Sequence, residues 1–181
     1  MPAPKYLPHY TLADYQNWDG DWELWNGIPV AMTPSPFGRH QWLAGKILTQ
    51  FNQQLELQGC EECYALGETD WIIGTDTIVR PDVAVVCGQF PERYIESPPR
   101  IVVEVLTDST ENKDRTVKHD LYEANKVSYY LIVDANMRLL TVYQLRDGRY
   151  DCLDRRPRYE FSLHDSCSLH LDPTRMFPTT D

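Results

Sequence analysis

No stretch of this chain is apolar for long enough to cross a membrane: none approaches the roughly 20 residues that a bilayer-spanning helix needs. The opening MPAPKYLPHYTLADY lacks the basic-then-apolar order of a secretory leader, so a cytoplasmic location with no membrane partner is expected. Positive charge is also scarce. Seventeen Lys and Arg stand against 27 Asp and Glu, a net charge of −10, which argues against diffuse, phosphate-driven adhesion to nucleic acid. Any nucleic-acid chemistry has to rest on a local site. The five cysteines, Cys60, Cys63, Cys87, Cys152 and Cys167, are odd in number and irregularly spaced, so no disulfide framework is expected. Cys60 and Cys63 make one C-x2-C pair, but no second pair exists to complete a structural zinc site. Internal repeats, low-complexity tracts and an interdomain linker are missing too. One domain over residues 1–181 is expected, with its core at about 35–145.

What is present alternates between two periodicities. Thr11 can cap a short helix through Tyr15. Asp21–Trp25 and Ile28–Met32 flank Asn26-Gly27, a strong hairpin signal. Ser35-Pro36 reads as a helix start, and His40, Ala44, Ile47, Phe51 and Leu55 recur at helical spacing, so a long helix is expected from Arg39 to Gln58, stopped by Gly59. Three strands are expected next, at Thr69–Ile73, Ile78–Cys87 and Ile101–Leu106. The last two are almost continuously apolar, as in strands buried on both faces. A polar loop at Thr107–Thr110 leads to a helix over Glu111–Asn125. Strands follow at Tyr129–Val133 and Arg138–Leu145, and Asp147-Gly148 makes a tight turn. The pattern predicts a mixed α/β (α+β) fold, with a mixed central sheet flanked by helices, an N-terminal β-hairpin and extra C-terminal strands.

Two acids break the apolar runs. Glu104 lies inside Ile101-Val102-Val103-Glu104-Val105-Leu106, where a carboxylate is costly unless it is paired, protonated or bound to metal. An ion pair with Arg80 or Arg100, or an edge strand, is the plainer explanation. Asp82 repeats the anomaly after Pro81, and alternation puts Asp82, Ala84 and Val86 on one face. If the two strands are neighbours, both carboxylates converge on one hard cation, with Mg²⁺ favoured and Mn²⁺ acceptable.

Pro81-Asp82 followed by Glu104-Val105-Leu106 on an apolar strand resembles the PD-(D/E)xK nuclease superfamily. The chain is more closely similar to the Uma-type family of restriction-endonuclease-like proteins. That likeness runs from Trp22-Glu23-Leu24 through His40, Arg80 to Val86 and Pro99 to Leu106, then through Asp114, Lys118 and Tyr122 to Tyr129–Asp134. The resemblance implies a restriction-endonuclease-like core and a metal-dependent DNA endonuclease, with a homodimer plausible for cutting both strands. It implies metal ligation by Asp82 and Glu104, with Glu23 as a further ligand and His40 as a phosphate or water contact. A binding or assembly protein that keeps the fold without catalysis is the alternative.

One departure matters. The superfamily lysine belongs two residues after the acid, where this chain has Leu106. In the Uma-type pattern a lysine on the following helix replaces it, and Lys118 fits. Val117, Leu121 and Ala124 read as the apolar stripe of that helix. Lys118 borders the stripe, so its stem can follow the seam while its ammonium reaches the sheet. A lysine so placed is expected to contribute little to packing. The plainer reading is an exposed Lys118 paired with Asp114. For Glu23 it is a solvent-facing strand residue, and for His40 a core histidine. Arg155-Arg156-Pro157-Arg158 offers a basic run that could grip phosphate or simply be solvated.

Overall fold

The computed structural model describes residues 7–32, 38–107 and 110–178. The helix start read at Ser35-Pro36 lies outside them. Asn26 and Gly27 both take positive φ, 47° and 76°, which closes β1 (Trp22–Trp25) onto β2 (Ile28–Ala31) as an antiparallel hairpin. Helix α1 spans Leu12–Tyr15. Helix α2 spans Gly38–Gln58 and buries the predicted stripe of His40, Ala44, Ile47, Phe51 and Leu55, with Leu43 beside it. Gly59 ends it at φ 67°, where the Cys60 N–H returns to the Leu55 carbonyl.

The strands after α2 are divided differently from the expectation. The strand after Asp82 has the Glu104 strand on one side, as expected, and on the other β3 (Cys63–Gly67), which the sequence pattern does not reveal. The expected strand Thr69–Ile73 shrinks to β4 (Trp71–Ile72), in a second sheet. The run Ile78–Cys87 is not one strand. Pro81 has no N–H to donate, and the chain breaks there into β5 (Ile78–Val79) and β6 (Val83–Cys87). β5 joins the four-stranded sheet β2-β1-β5-β4, while β6 joins the central six-stranded sheet. Asp82 therefore sits at the step between two sheets.

The central sheet adds β7 (Ile101–Val105), β8 (Tyr129–Asp134), β9 (Leu139–Arg146) and β10 (Arg149–Cys152), in the order β10-β9-β8-β7-β6-β3. Among the described strands of this sheet only β7 and β8 run parallel, joined by the helical crossover of residues 111–124. One face carries Val83, Val85, Ile101, Val103, Val105, Leu131 and Val133 against α2 and a C-terminal hairpin of β11 (Tyr159–His164) and β12 (Cys167–Leu171). The other face carries Ala84, Val86, Val102, Tyr130 and Ile132 against Trp71, Leu106 and Tyr122. Every residue of β7 is buried, as its unbroken apolar run requires. Among the described residues, no helix is long and apolar enough to cross a membrane.

The cysteines correct the sequence reading. Cys60 bonds to Cys167 and Cys63 to Cys87, leaving Cys152 free and exposed. The β3–β6 register sets Cys63 directly opposite Cys87, a proximity that linear spacing does not reveal. The Cys60–Cys167 bridge spans 107 residues and the other spans 24. On the chain-entropy scale the longer loop stabilises by about 1 kcal/mol more. Urea unfolding in metal-free buffer should therefore show Cys60→Ser/Cys167→Ser less stable than Cys63→Ser/Cys87→Ser. The reverse order would mean that native packing, not chain entropy, dominates.

Candidate active site

The site forms where the two sheets part. The β6–β7 pairing begins at Val83 opposite Val103, so the Val105 N–H lies beyond it and donates instead to Asp82 Oδ2 at 2.6 Å. The same oxygen lies 3.2 Å from His40 Nε2, brought in by the first turn of α2. Asp82 Oδ1 has no hydrogen bond among the described residues. Glu104 projects from the same face of the sheet and is 3% exposed. Its Oε1 accepts from the Tyr122 hydroxyl at 2.6 Å and from Lys118 Nζ at 3.0 Å. Its Oε2, like Asp82 Oδ1, has no hydrogen bond among the described residues. The arginine pairing offered as the plainer explanation for Glu104 is not formed with Arg80, whose guanidinium binds Asp70 and Asp21.

Lys118 is the centre of the cluster. Its ammonium lies 3.0 Å from Glu104 Oε1, 3.0 Å from Glu23 Oε1 and 3.8 Å from Asp114 Oδ1, and the residue is 6% exposed. The stripe read from sequence is rotated. Val117 is exposed, and the buried face is Asp114, Lys118 and Tyr122. The crossover starts as α3 (Glu111–Lys113), widens into a π-helical turn over Asp114–Lys118 and ends as α4 (His119–Ala124). Such a widened turn changes which side chains face inward. The expectation that Lys118 adds little to packing is accordingly wrong, since removing it would strand three buried carboxylates. Leu106, in the usual lysine position, packs into the apolar core of this face.

Glu23 is buried in β1. Besides Lys118, its carboxylate accepts the Arg80 backbone N–H at 2.8 Å and the Trp25 indole N–H at 3.2 Å, so it is not the solvent-facing strand residue of the plainer reading. Asp114, which the plainer reading pairs with Lys118 at the surface, and Tyr122 are instead buried beside it. Their i, i+4, i+8 spacing around Lys118 is the signal that marks one shared face. The arginines at 155, 156 and 158 are exposed in the loop before β11 and do not line this cleft.

The electrostatics are lopsided. Burial, and then the charges of Asp114, Asp82 and Glu23, push the Glu104 carboxyl well above its usual range against the pull of Lys118. Burial likewise raises Asp114 to about 6. Burial opposes the charge on Lys118, but Glu104, Glu23 and Asp114 overcome it and hold the ammonium protonated. Burial also acts to lower His40, yet its hydrogen bond to Asp82 and the nearby carboxylates raise it overall. His40 Nδ1 is buried with no hydrogen-bond partner among the described residues. These groups line one cleft of about 320 Å³, together with Asp21, Glu68, Arg80 and Lys113.

A family model described as "Putative restriction endonuclease" matches residues 7–166. The chain belongs to the Uma2 family. It is 29% identical over 152 residues to the uncharacterized protein slr1290 of Synechocystis sp., covering 81% of this chain and 77% of that one. Its fold is similar to a crystal structure described as a putative nuclease belonging to DUF820, from Anabaena variabilis. The TM-score there is 0.73 at 17% identity, over 93% of this chain and 97% of the other. This is the restriction-endonuclease-like architecture that the Uma2 resemblance implies.

The raised Asp114 pKa carries a sign. A carboxyl near 6 in the folded state and 3.8 otherwise opposes folding above pH 6, and the cost vanishes below about pH 4. Asp114→Asn should therefore raise stability at pH 8 in metal-free buffer, by up to about 2–3 kcal/mol, and leave it nearly unchanged at pH 4. Chemical denaturation at the two pH values checks this. An equal effect at both would place the cost elsewhere.

Proposed function

We propose that this protein is a metal-dependent DNA endonuclease that holds Mg²⁺, or Mn²⁺ in its place, on Asp82 and Glu104. The observation that carries the reading is the state of these two carboxylates. Each has one oxygen anchored, Asp82 by the Val105 N–H and His40, Glu104 by Tyr122 and Lys118. Each has a second oxygen uncommitted among the described residues, and both residues line the same cleft. The donor set fits a hard divalent cation, because it offers fixed carboxylate oxygens and surplus negative charge. Glu104, Glu23 and Asp114 lie within 4 Å of one ammonium, Lys118, and the charge of Asp82 adds to the field it feels. When bound, the cation would acidify a coordinated water and offset charge on the phosphate.

The protein's own groups do the rest. Tyr122 and Lys118 fix the Glu104 carboxylate, and the Val105 N–H fixes Asp82, so neither has to reorganise when a phosphate arrives. Lys118, held protonated by its acids, supplies the positive charge that Leu106 cannot, and stabilises hydroxide or the charge developing on phosphate. Glu23 orients Lys118 and stands as a further ligand. His40, tied to Asp82 through Nε2, steadies that carboxylate and is placed for a phosphate or water contact. Cutting both strands of a duplex would call for two such sites, hence a homodimer.

A non-catalytic binding role has one observation in its favour: the acids lining the cleft, Asp21, Glu23, Glu68, Asp82, Glu104 and Asp114, outnumber Arg80, Lys113 and Lys118. Incubation of plasmid and oligonucleotide DNA with the protein and Mg²⁺ or Mn²⁺ separates the two. Cleavage by the wild type, abolished in Asp82→Ala, is the expected result. Lys118→Ala should cut about 10²-fold more slowly or worse, the scale of losing one electrostatic stabiliser. It should also lose roughly 3–5 kcal/mol of stability, because buried acids lose their counter-ion, so rates are compared at a temperature where both proteins are folded. No cleavage by the wild type with either metal would move the non-catalytic role to first place.

A further inference from the structure

At the far ends of α2 and β6 from the carboxylates, two disulfides drawn from four parts of the chain lie side by side. Cys60 follows the C-terminal stop of α2, and Cys63 opens β3. A tight turn joins them, with the Cys63 N–H on the Cys60 carbonyl at 3.0 Å. Cys87 ends β6 opposite Cys63, and Cys167 opens β12. Two disulfides acting only as staples have no need to be neighbours. Here the turn sets them side by side. Cys63 Sγ and Cys167 Sγ belong to different bridges, yet they lie within 4.8 Å of each other and of a His164 ring nitrogen. Cys60, Cys63 and Cys167 are buried.

We propose that, in the reduced chain, Cys60, Cys63, Cys87 and Cys167 form a tetrathiolate zinc site, of which the two disulfides are the oxidised form. Zn–S bonds of roughly 2.3 Å place sulfurs about 3.8 Å apart on the edges of a tetrahedron. One sulfur of each bridge, Cys63 Sγ and Cys167 Sγ, already lies within 4.8 Å of the other, so the movement required is to open each S–S bond and draw Cys60 and Cys87 round the same centre. The balance is simple. A dithiol reductant delivers two electrons and two protons to each disulfide and leaves as its own disulfide. Four thiols remain, and Zn²⁺ then displaces their protons as the thiolates bind. The soft, buried sulfur set selects zinc over the hard cations suited to carboxylates. His164 is exposed, with Nδ1 3.4 Å from the Ser166 hydroxyl, and stands beside the cluster as a neighbour.

The site closes a mechanical joint. It ties the end of α2 to the edge of the central sheet and to the C-terminal hairpin. The side chains of Gln54 and Gln58 make the same connection, donating to the His170 and Ser168 carbonyls. In a reducing compartment, where disulfides open, the metal would hold the joint that the bridges hold under oxidising conditions.

The test is Co²⁺ titration of the full chain, reduced anaerobically with a dithiol and freed of reductant. One equivalent should produce a thiolate-to-cobalt charge-transfer band with the visible bands of a tetrahedral ion, and one equivalent of Zn²⁺ should bleach them. Oxidised protein should give neither band. Cys60→Ser/Cys63→Ser should lose the spectrum, while Cys152→Ser, His164→Ala and Asp82→Asn should keep it. Because the double variant can fail for want of folding, the melting temperature of reduced wild type is measured as well and should rise with Zn²⁺. Absence of a charge-transfer band in the reduced wild type would overturn the proposal. So would its persistence in the double variant, or its alteration by His164→Ala.

Discussion

The Lys118 ammonium lies out of water between Glu23 and Glu104, 3.0 Å from each, with Asp114 just beyond. A charge in that position survives only when its partners repay the lost hydration. The surrounding architecture is arranged around this repayment. Glu23 comes from the hairpin, Glu104 from the most buried strand of the central sheet, and Asp114 and Lys118 from the crossover helix. Moving any one of these elements would leave a buried charge without its counterpart. The cluster therefore welds the small sheet, the large sheet and the crossover to one another. It also gathers several acids in one site, where burial, and then the neighbouring acids, push the Glu104 carboxyl upward in pKa; the divalent cation we propose would complement them.

Topology delivers these groups to one place. Pro81 interrupts the long apolar run and lets the chain step from the small sheet to the large one. Asp82 stands at that step, where its carboxylate replaces a missing backbone partner of Val105. The parallel pairing of β7 with β8 demands a crossover, and that crossover lies over the face bearing Glu104. The π-helical turn within it turns Asp114 and Lys118 inward together. Fold and site thus share a single cause, the polar step in an otherwise apolar sheet.

Much of this is legible from the chain. Glu104 and Asp82 stand out because each interrupts an apolar strand, and desolvation makes such residues conspicuous. The long stripe of α2 and the Asn26-Gly27 hairpin are carried by local periodicity and turn chemistry, and both form where expected. The crossover helix misleads for a physical reason. A regular 3.6-residue period puts Val117, Leu121 and Ala124 inside, and one widened turn leaves Val117 exposed and puts Asp114, Lys118 and Tyr122 inside. The strand Cys63–Gly67, Cys-Tyr-Ala-Leu-Gly, is short, lacks β-branched residues and ends in a glycine, and its place in the sheet comes from pairing with β6. The disulfides are opaque for the same reason: Cys60 finds Cys167 across 107 residues, a contact that only the assembled fold specifies.

We propose that Asp82 and Glu104, beside the buried Lys118 cluster, hold a divalent metal. Calorimetric titration of Mn²⁺ into the oxidised protein and into its Glu104→Gln variant tests it most directly, since glutamine keeps the shape of the side chain and removes its charge. Oxidation keeps the cysteine sulfurs out of the measurement. The account predicts binding to the wild type with a stoichiometry of one or two ions per chain, and an affinity loss of about tenfold or more in the variant, the equivalent of about 1.4 kcal/mol. Equal affinity in the two proteins, or no binding to the wild type, would contradict it.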